Sequence, residues 1–261
     1  MTIHPRTPRS RDAFLAACAS VAMYGCGSAS QTPAPASTPP VAALPAPSPP
    51  PPPVLPRQIK SEHSLIAPTA VAPYALVADA IRIDGRDVPL AGTGPRDAIA
   101  HGLARVPPEL RAIVRSLTIS AVDNPTDEAW AAKYRMPVRA GMSANADGEI
   151  EIYPYGLLEL RDESFFVKNL LHEIGHAWSL RAWRDDSRAL SAWLAAIAKD
   201  PGVPSQYAQG SFRASGSPAE DAAEATALYF IVRGTPDEER YRAQMPARFA
   251  LIAARFPPRA R

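Results

Sequence analysis

Alternating apolar and polar residues predict a hairpin and two further short strands. Residues 81–88 alternate on either side of Asp84-Gly85, a pair typical of a tight hairpin turn. Residues 116–122 form another strand candidate. In residues 149–153, two isoleucines face one way while two glutamates and a tyrosine face the other, as in a half-buried strand. We expect these strands to form a small antiparallel sheet.

A long helix is predicted further along the chain. Apolar residues recur at gaps of three to six between Ser164 and Trp183, and no proline interrupts them. Asp162 or Ser164 can cap the start of this helix, which we expect to be largely buried. The apolar residues at this spacing are Phe165, Leu171, Ile174 and Trp178.

Helical segments dominate the rest of the predicted domain. We expect them near residues 95–105, 108–115, 128–134, 186–199, 217–230 and 236–256, with a loop rich in glycine, proline and serine at 201–216. Together with the sheet, these segments predict a mainly helical α+β domain over residues 74–261. That length is enough for one domain with a continuous hydrophobic core.

The first 25 residues have the features of an export signal. Three arginines precede the apolar run 13–24, which is too short to span a bilayer as a helix. The run ends just before Cys26, and a small residue followed by a cysteine at this place resembles a bacterial lipoprotein signal. We expect Cys26 to be the lipidated residue. Cys18, which follows Leu15-Ala16-Ala17, is the alternative.

Residues 26–73 are predicted to be a disordered linker that begins at the lipidated cysteine. Twelve prolines fall between residues 31 and 56, a composition that favours extended polyproline II and cannot bury a core. Both cysteines of the chain precede residue 27, so the domain contains no disulfide. We therefore expect a lipoprotein of the bacterial envelope, held in the outer membrane by its anchor and facing the periplasm.

The composition of the chain gives no support for nucleic-acid binding. The formal net charge is only +2, and the positive charge is scattered over many arginines. No glycine loop for phosphate and no nucleotide motif is present in the sequence. We therefore expect no nucleic-acid partner.

Candidate chemistry is concentrated in residues 172–176, His-Glu-Ile-Gly-His. Residues four apart lie on the same face of a helix, so His172 and His176 can bind one zinc ion at about 2.0–2.1 Å. Glu173 lies beside such a metal, where a general base can take a proton from zinc-bound water. The pattern is typical of zinc-dependent hydrolases, usually peptidases. The alternative is two core histidines that bind no metal, although two histidines and a glutamate are costly to bury without one.

A catalytic zinc needs a third protein ligand, and no histidine follows at the HExxHxxGxxH spacing. Glu220 and Glu224 share one face of the helix that begins after Ser217. We assign Glu220 as the third ligand and Glu224 as the residue that accepts a hydrogen bond from a ligating histidine. Asp221 is less well placed for either role. The alternative is that Glu220 closes a capping box with Ser217 while Glu224 is solvated.

These two motifs resemble the gluzincin branch of zinc peptidases, and most closely the catalytic domain of the anthrax lethal factor-like family. The resemblance covers residues 115–256 and rests on HEIGHAW at 172–178 and SPAEDAAEA at 217–225. It implies the same roles as the helix geometry, with Glu220 on zinc and Glu224 behind a histidine.

The same family carries a Ser-x-Tyr-(Ala/Gly) element shortly before the second helix. Residues 205–208 match it, and the resemblance implies that the hydroxyl of Tyr207 helps to stabilise the transition state. This chain departs from the family by the additional residues 209–216 between the tyrosine and the helix. At the family's shorter spacing the position falls on Phe212 or Arg213, and Arg213 can stabilise an oxyanion.

In zinc peptidases of this class a strand with a free edge lies over the metal, and an extended substrate pairs with it. We assign that role to the strand at 149–153. The sequence thus predicts a zinc metalloendopeptidase that acts on peptides or proteins and is tethered to a membrane by a lipid. One alternative is a non-catalytic zincin-fold lipoprotein with a binding or structural role, against which Glu173 speaks. Another keeps the zinc hydrolase but makes a cell-wall cross-link the substrate.

Overall fold

The computed structural model of the chain describes residues 18–21, 71–134 and 138–257. Cys26, the proline-rich segment and most of the predicted signal lie outside the described residues, so the predictions made for them stay predictions. None of the helices in the described ranges is both long and apolar enough to cross a bilayer.

The described residues contain seven strands that form one sheet. In chain order they are β1 (Cys18–Val21), β2 (Tyr74–Val77), β3 (Ala80–Ile83), β4 (Arg86–Ala91), β5 (Ser116–Ile119), β6 (Ala140–Ala144) and β7 (Glu149–Ile152). Their order across the sheet is β1-β6-β7-β5-β4-β3-β2. The first strand belongs to the segment predicted to be a signal peptide.

The sheet is mixed, which corrects the prediction of an antiparallel sheet. β5 is parallel to both of its neighbours, β4 and β7, whereas the other pairs are antiparallel. Parallel neighbours require a crossover connection, and helices follow both β4 and β5 before the chain returns to the sheet. The predicted hairpin is confirmed, because Asp84 and Gly85 join β3 to β4 with positive φ angles of 52° and 75°.

Ten helices lie in the described part of the chain, and they confirm the mainly helical α+β class. They are α1 (Arg96–Arg105), α2 (Pro108–Arg111), α3 (Asp127–Tyr134), α4 (Pro154–Glu159), α5 (Glu163–Asp185), α6 (Ser187–Lys199), α7 (Gln206–Ser215), α8 (Ala219–Val232), α9 (Glu238–Gln244) and α10 (Pro246–Arg255).

Helix α7 occupies much of the segment that the sequence analysis predicted to be a loop. Ser205 caps it, because the Oγ of this serine accepts a hydrogen bond from the N–H of Ala208 at 3.0 Å. Gly216 ends the helix in the left-handed conformation, with φ 71°. The serine and glycine that suggested a loop are therefore the two caps of a helix.

The last predicted helix, at 236–256, is divided into α9 and α10. Met245 leaves the helical conformation and Pro246 is the first residue of α10. Proline has no N–H to continue a preceding helix but is well suited to begin a new one. The break is therefore a direct consequence of Pro246.

Helix α5 is the central element of the domain. It packs along α8 and also contacts β6, β7, α1, α4 and α6. Nearly all of its side chains from Phe166 to Ser179 are buried, and most of the apolar ones belong to one continuous hydrophobic cluster. Side chains in the middle of α5 are thus held by neighbours on several sides, which gives them defined directions.

The sequence analysis was wrong about which strand lies towards the edge of the sheet. β7 lies inside the sheet, between β5 and β6, and the outer side of β6 pairs with β1. β6 was missed because its sequence, Ala-Gly-Met-Ser-Ala, contains no β-branched or aromatic residue. Its small residues have a packing reason: a Cβ at Gly141 would lie 3.0 Å from a Glu159 carboxylate oxygen.

Candidate metal centre

Asp162 starts the helix that carries both candidate histidines. Its carboxylate accepts hydrogen bonds from the N–H groups of Ser164 and Phe165, at 3.1 and 3.2 Å, so Asp162 is the N-cap of α5. His172 and His176 lie in the buried middle of this helix, with relative exposures of 2% and 0%. Their imidazole rings stand edge to face, with centroids 4.6 Å apart.

The two imidazoles and the Glu220 carboxylate converge on one point. The Nε2 atoms of His172 and His176 are 2.9 Å apart, and the Oε2 atom of Glu220 lies 3.3 and 3.5 Å from them. A triangle with these sides has a circumscribed radius of about 1.9 Å, close to the length of about 2.0–2.1 Å of zinc–ligand bonds, so one ion could contact all three atoms. The group can therefore hold a metal ion.

The chemistry of the site also fits a cation. Glu220 is 3% exposed, and in the described part of the chain neither of its carboxylate oxygens makes a hydrogen bond of good geometry. A buried carboxylate is costly unless its charge is balanced, and a cation held between Glu220 and the two imidazoles would balance it. Two histidines and one carboxylate form a donor set of catalytic zinc sites, in which the fourth position is left for water.

Gly175 brings the Glu220 helix close enough to the histidines. A Cβ at this position would lie 2.8 Å from the Cα of Ala223 and 3.0 Å from its carbonyl oxygen, which are backbone atoms of α8. One turn further on, the Trp178 indole N–H donates to Thr226 Oγ1 at 2.9 Å and fixes the same contact. A glycine inside a helix costs about 1 kcal/mol relative to alanine, so it is expected only where packing requires it.

We expect Gly175→Ala to separate α5 from α8 and to weaken the metal centre. Overpacking of this kind typically costs about 1–3 kcal/mol, which outweighs the higher helix propensity of alanine. Metal affinity should fall with stability, measured by urea unfolding and metal titration. Gly210→Ala is the matched control, because a Cβ at Gly210 in α7 meets nothing within 4 Å. If Gly175→Ala bound metal as tightly as the natural protein, this reading of the contact would be wrong.

Glu224 lies behind the first histidine. Its Oε1 atom is 2.9 Å from Nδ1 of His172, the ring nitrogen that faces away from the convergence point. A carboxylate in this position fixes the tautomer and ring orientation of a ligating histidine and raises its basicity. The structure thus places Glu220 and Glu224 on opposite sides of the His172 ring.

The charges of these groups are strongly coupled. Burial alone lowers the pKa of the His172 imidazole, but the adjacent Glu220 and Glu224 carboxylates outweigh burial and raise this pKa to about 10. Burial alone raises the pKa of Glu220, but the two imidazoles outweigh it and lower that pKa to about 2. A metal ion held here would compete with a proton on the imidazoles, so its binding would weaken as the pH falls.

Glu173, the candidate general base, is fully buried and follows His172 directly in the chain. Two further side chains share its environment. Tyr153 is 3% exposed, and its hydroxyl lies 2.9 Å from Ser143 Oγ. Burial, together with the charges of Glu151 and Glu173, raises the pKa of the Tyr153 phenol to about 12. Glu159 accepts a hydrogen bond from the Asn169 amide at 2.7 Å. Burial, with the charge of Glu173, raises the pKa of the Glu159 carboxyl to about 7.

The raised pKa of Glu159 predicts a pH-dependent stability. The folded-state pKa is about 7 and the ordinary value is 4.5. The contribution of this carboxyl to the free energy of unfolding is therefore complete below pH 4.5 and is lost as the pH rises through 7. Glu159→Gln should therefore raise the free energy of unfolding at pH 8 by about 1–2 kcal/mol, with screening by solvent taken into account, and flatten its pH profile. Urea unfolding from pH 4 to 9 measures this. Glu239→Gln, exposed on α9, is the control; equal profiles for the two variants would contradict the prediction.

The structure places Tyr207 and Arg213 on α7, which packs against the Glu220 helix. Tyr207 is half-buried at the second position of α7, while Arg213 is exposed in its last turn. The residues that separate Tyr207 from Glu220 are thus mostly helical rather than an irregular insertion. A role for either side chain at the oxyanion stays a prediction.

The start of α8 does not form the capping box that was the alternative explanation for Ser217 and Glu220. Pro218 is the N-cap residue and makes no side-chain hydrogen bond, while Ser217 Oγ accepts only a 3.4 Å hydrogen bond from the N–H of Ala219. Glu220 does not close a box with Ser217, because its carboxylate faces the histidines. Asp221 points elsewhere, to Arg248 and Trp193.

Sequence reasoning missed several residues around this centre. Gly175 could have been found from the sequence, because a glycine inside a helix is costly unless packing requires it. No local signal indicates Tyr153, Glu159 or Asn169, because α4 was not predicted and only folding brings it beside α5.

Comparison with known proteins adds no assignment: no family model, no curated protein and no solved structure matches this chain.

Proposed function

We propose that this protein is a zinc-dependent metallopeptidase. The observation that carries the proposal is the buried group of His172, His176 and Glu220, with Glu173 buried beside it on the same helix. Two histidines and a carboxylate suit zinc and leave one position for water. A pure binding site has no need of the additional buried carboxylate of Glu173, which favours catalysis over binding alone.

Each side chain then has a defined task. His172, His176 and Glu220 would hold the zinc, which would supply a water of lowered pKa and polarise the substrate carbonyl. Glu173 would accept a proton from the attacking water and return it to the leaving amine. Glu224 holds the His172 ring through Nδ1, and Tyr207, or else Arg213, donates to the oxyanion.

The proposed substrate is a peptide or protein segment in the bacterial envelope. Support for the location comes from the N-terminal sequence: a short apolar run, Cys26 as the lipidation site and a proline-rich linker. In this proposal the linker holds the catalytic domain away from the membrane, in the periplasm.

The test is to measure metal content and peptide hydrolysis on the same protein sample. We expect about one zinc per chain by mass spectrometry, and digestion of unfolded casein that a chelator stops and zinc restores. A protein that binds zinc but does not digest casein would be either a non-catalytic envelope lipoprotein or a hydrolase of cell-wall cross-links. Incubation with cell-wall fragments would separate these two alternatives, because only the hydrolase would cleave them. A protein that takes up no zinc would refute the proposal.

A further inference from the structure

A buried charged cluster lies beside the candidate metal centre, on the neighbouring face of α8. Asp221, the residue after the ligand Glu220, pairs with the Arg248 guanidinium, with Nε and Oδ1 2.9 Å apart. The Trp193 indole N–H donates to the same Oδ1 atom at 3.0 Å. Arg248 is 0% exposed, Trp193 1% and Asp221 3%. We call these three residues the α8 clamp.

The clamp is fixed from behind by the end of α6. Arg248 Nη1 donates to the Gly202 carbonyl at 2.9 Å. The Asp200 carboxylate, whose side chain is fully buried, accepts hydrogen bonds from the backbone N–H groups of Ala247 and Arg248 at 2.7 and 3.0 Å. Asp200 thus holds the first turn of α10, which carries Arg248. The cluster connects α6, α8 and α10 through the Trp193 hydrogen bond, the hydrogen bonds of Asp200 and Gly202, and the ion pair of Arg248 with Asp221.

Such a cluster is an expensive way to hold helices together. Burying two carboxylates and one guanidinium costs desolvation energy, and well-packed apolar residues of similar volume are often at least as stabilising. What the cluster supplies instead is direction, because the Trp193 N–H and the Arg248 guanidinium both reach the same Oδ1 atom of Asp221, and a rotation of α8 would move that atom away from both. The rotation of α8 is therefore what the clamp defines.

The first turn of α8 needs such a restraint. Its N-cap, Pro218, provides no side-chain hydrogen bond, and residues 213–217 before it are exposed. Glu220 is the second residue of the helix, so the candidate metal ligand belongs to this uncapped turn. Asp221 follows Glu220 by about 100° around the helix. Holding Asp221 towards Arg248 therefore holds Glu220 towards His172 and His176.

We propose that the α8 clamp of Asp221, Arg248 and Trp193 is a positioning device for the metal ligand Glu220. It sets the rotation of the first turn of α8 and thereby the distance of the Glu220 carboxylate from the two imidazoles. The inference rests on the proposed function only as far as Glu220 serves a metal. The approach of the Glu220 carboxylate to the two imidazoles is itself a feature of the structure.

The test compares Asp221→Asn and Trp193→Phe with Phe249→Leu. Asp221→Asn removes the charge that pairs with Arg248, and Trp193→Phe removes only the N–H donor and part of the ring. Phe249→Leu is the control, because Phe249 is fully buried next to Arg248 but contacts Tyr229, far from the start of α8. The full chain is used, and each variant is measured for melting temperature, zinc affinity and the Co²⁺ absorption spectrum. Ring ¹⁵N NMR of the histidines in metal-free protein completes the set.

We expect Asp221→Asn to weaken zinc binding about 10–100-fold and to change the Co²⁺ spectrum, as other changes behind metal ligands do. Trp193→Phe should act in the same direction by about tenfold or less, and it decides the matter if Asp221→Asn does not fold. Phe249→Leu should lower the melting temperature while leaving zinc affinity within about twofold, because it is remote from the ligands.

Loss of melting temperature alone in the clamp variants, with unchanged zinc affinity and Co²⁺ spectrum, would show that the cluster is only structural and overturn the inference. The ring NMR separates this failure from failure of the proposed function. If the natural protein bound no zinc, the His172 resonances would still show whether the clamp variants displace Glu220 from the imidazoles.

Discussion

Glu220→Gln should reduce zinc affinity by about two to three orders of magnitude. If the roughly 10–16 kcal/mol of a structural zinc site is shared over four ligands, one ligand accounts for about 2.5–4 kcal/mol. The substitution keeps the shape of the side chain but removes the negative charge 3.3 and 3.5 Å from the two imidazole nitrogens. Zinc affinity is measured by competition with a chromophoric chelator.

Glu224→Gln provides the graded comparison for that experiment. Glu224 touches Nδ1 of His172 rather than the convergence point, so its loss should weaken zinc only about 10–100-fold. A larger loss of affinity for Glu224→Gln than for Glu220→Gln would reverse the two assignments. Equal and small losses would mean that neither carboxylate serves a metal.

Glu173→Gln should leave zinc bound and remove peptide hydrolysis. A positioned general base contributes about 10²–10⁴-fold to a rate, so casein digestion should fall by at least two orders of magnitude. Zinc content should stay at that of the natural protein, because Glu173 is not among the converging ligand atoms. The glutamine is nearly isosteric, so the fully buried position is still filled.

Glu163→Gln is the matched control for the base, since it removes a carboxylate at the start of the same helix. Glu163 pairs with Arg105 and His101 instead of the metal centre. We expect its hydrolysis rate to remain near that of the natural protein. Full activity in Glu173→Gln would exclude the proposed base even if zinc were present.

The parts of this molecule that sequence reasoning reached are those with a local cause. His172 and His176 share a helix face because of their spacing, and a helix start after Ser217 follows from its own residues. Asp84-Gly85 likewise specifies its own hairpin. The convergence of Glu220 with the histidines was inferred from chemistry, because a catalytic zinc site needs three protein ligands and the two histidines supply only two.

The parts of the structure that were not predicted from the sequence depend on contacts between residues distant in the chain. β6 consists of small residues whose pairing is defined by β7 and by the close approach of Glu159 and Gly156 to Gly141. Asp221 and Arg248 are 27 positions apart, and nothing local to either residue indicates the other. α7 was missed for a different reason, because Ser205 and Gly216 were taken as loop residues when they cap a helix.

The most direct test of the central claim is a zinc-loaded crystal measured on both sides of the zinc absorption edge. We expect one anomalous peak per chain, about 2.0–2.1 Å from Nε2 of His172, Nε2 of His176 and Oε2 of Glu220. An absent peak at that point, or a peak bound by other residues with Glu220 turned away, would contradict it.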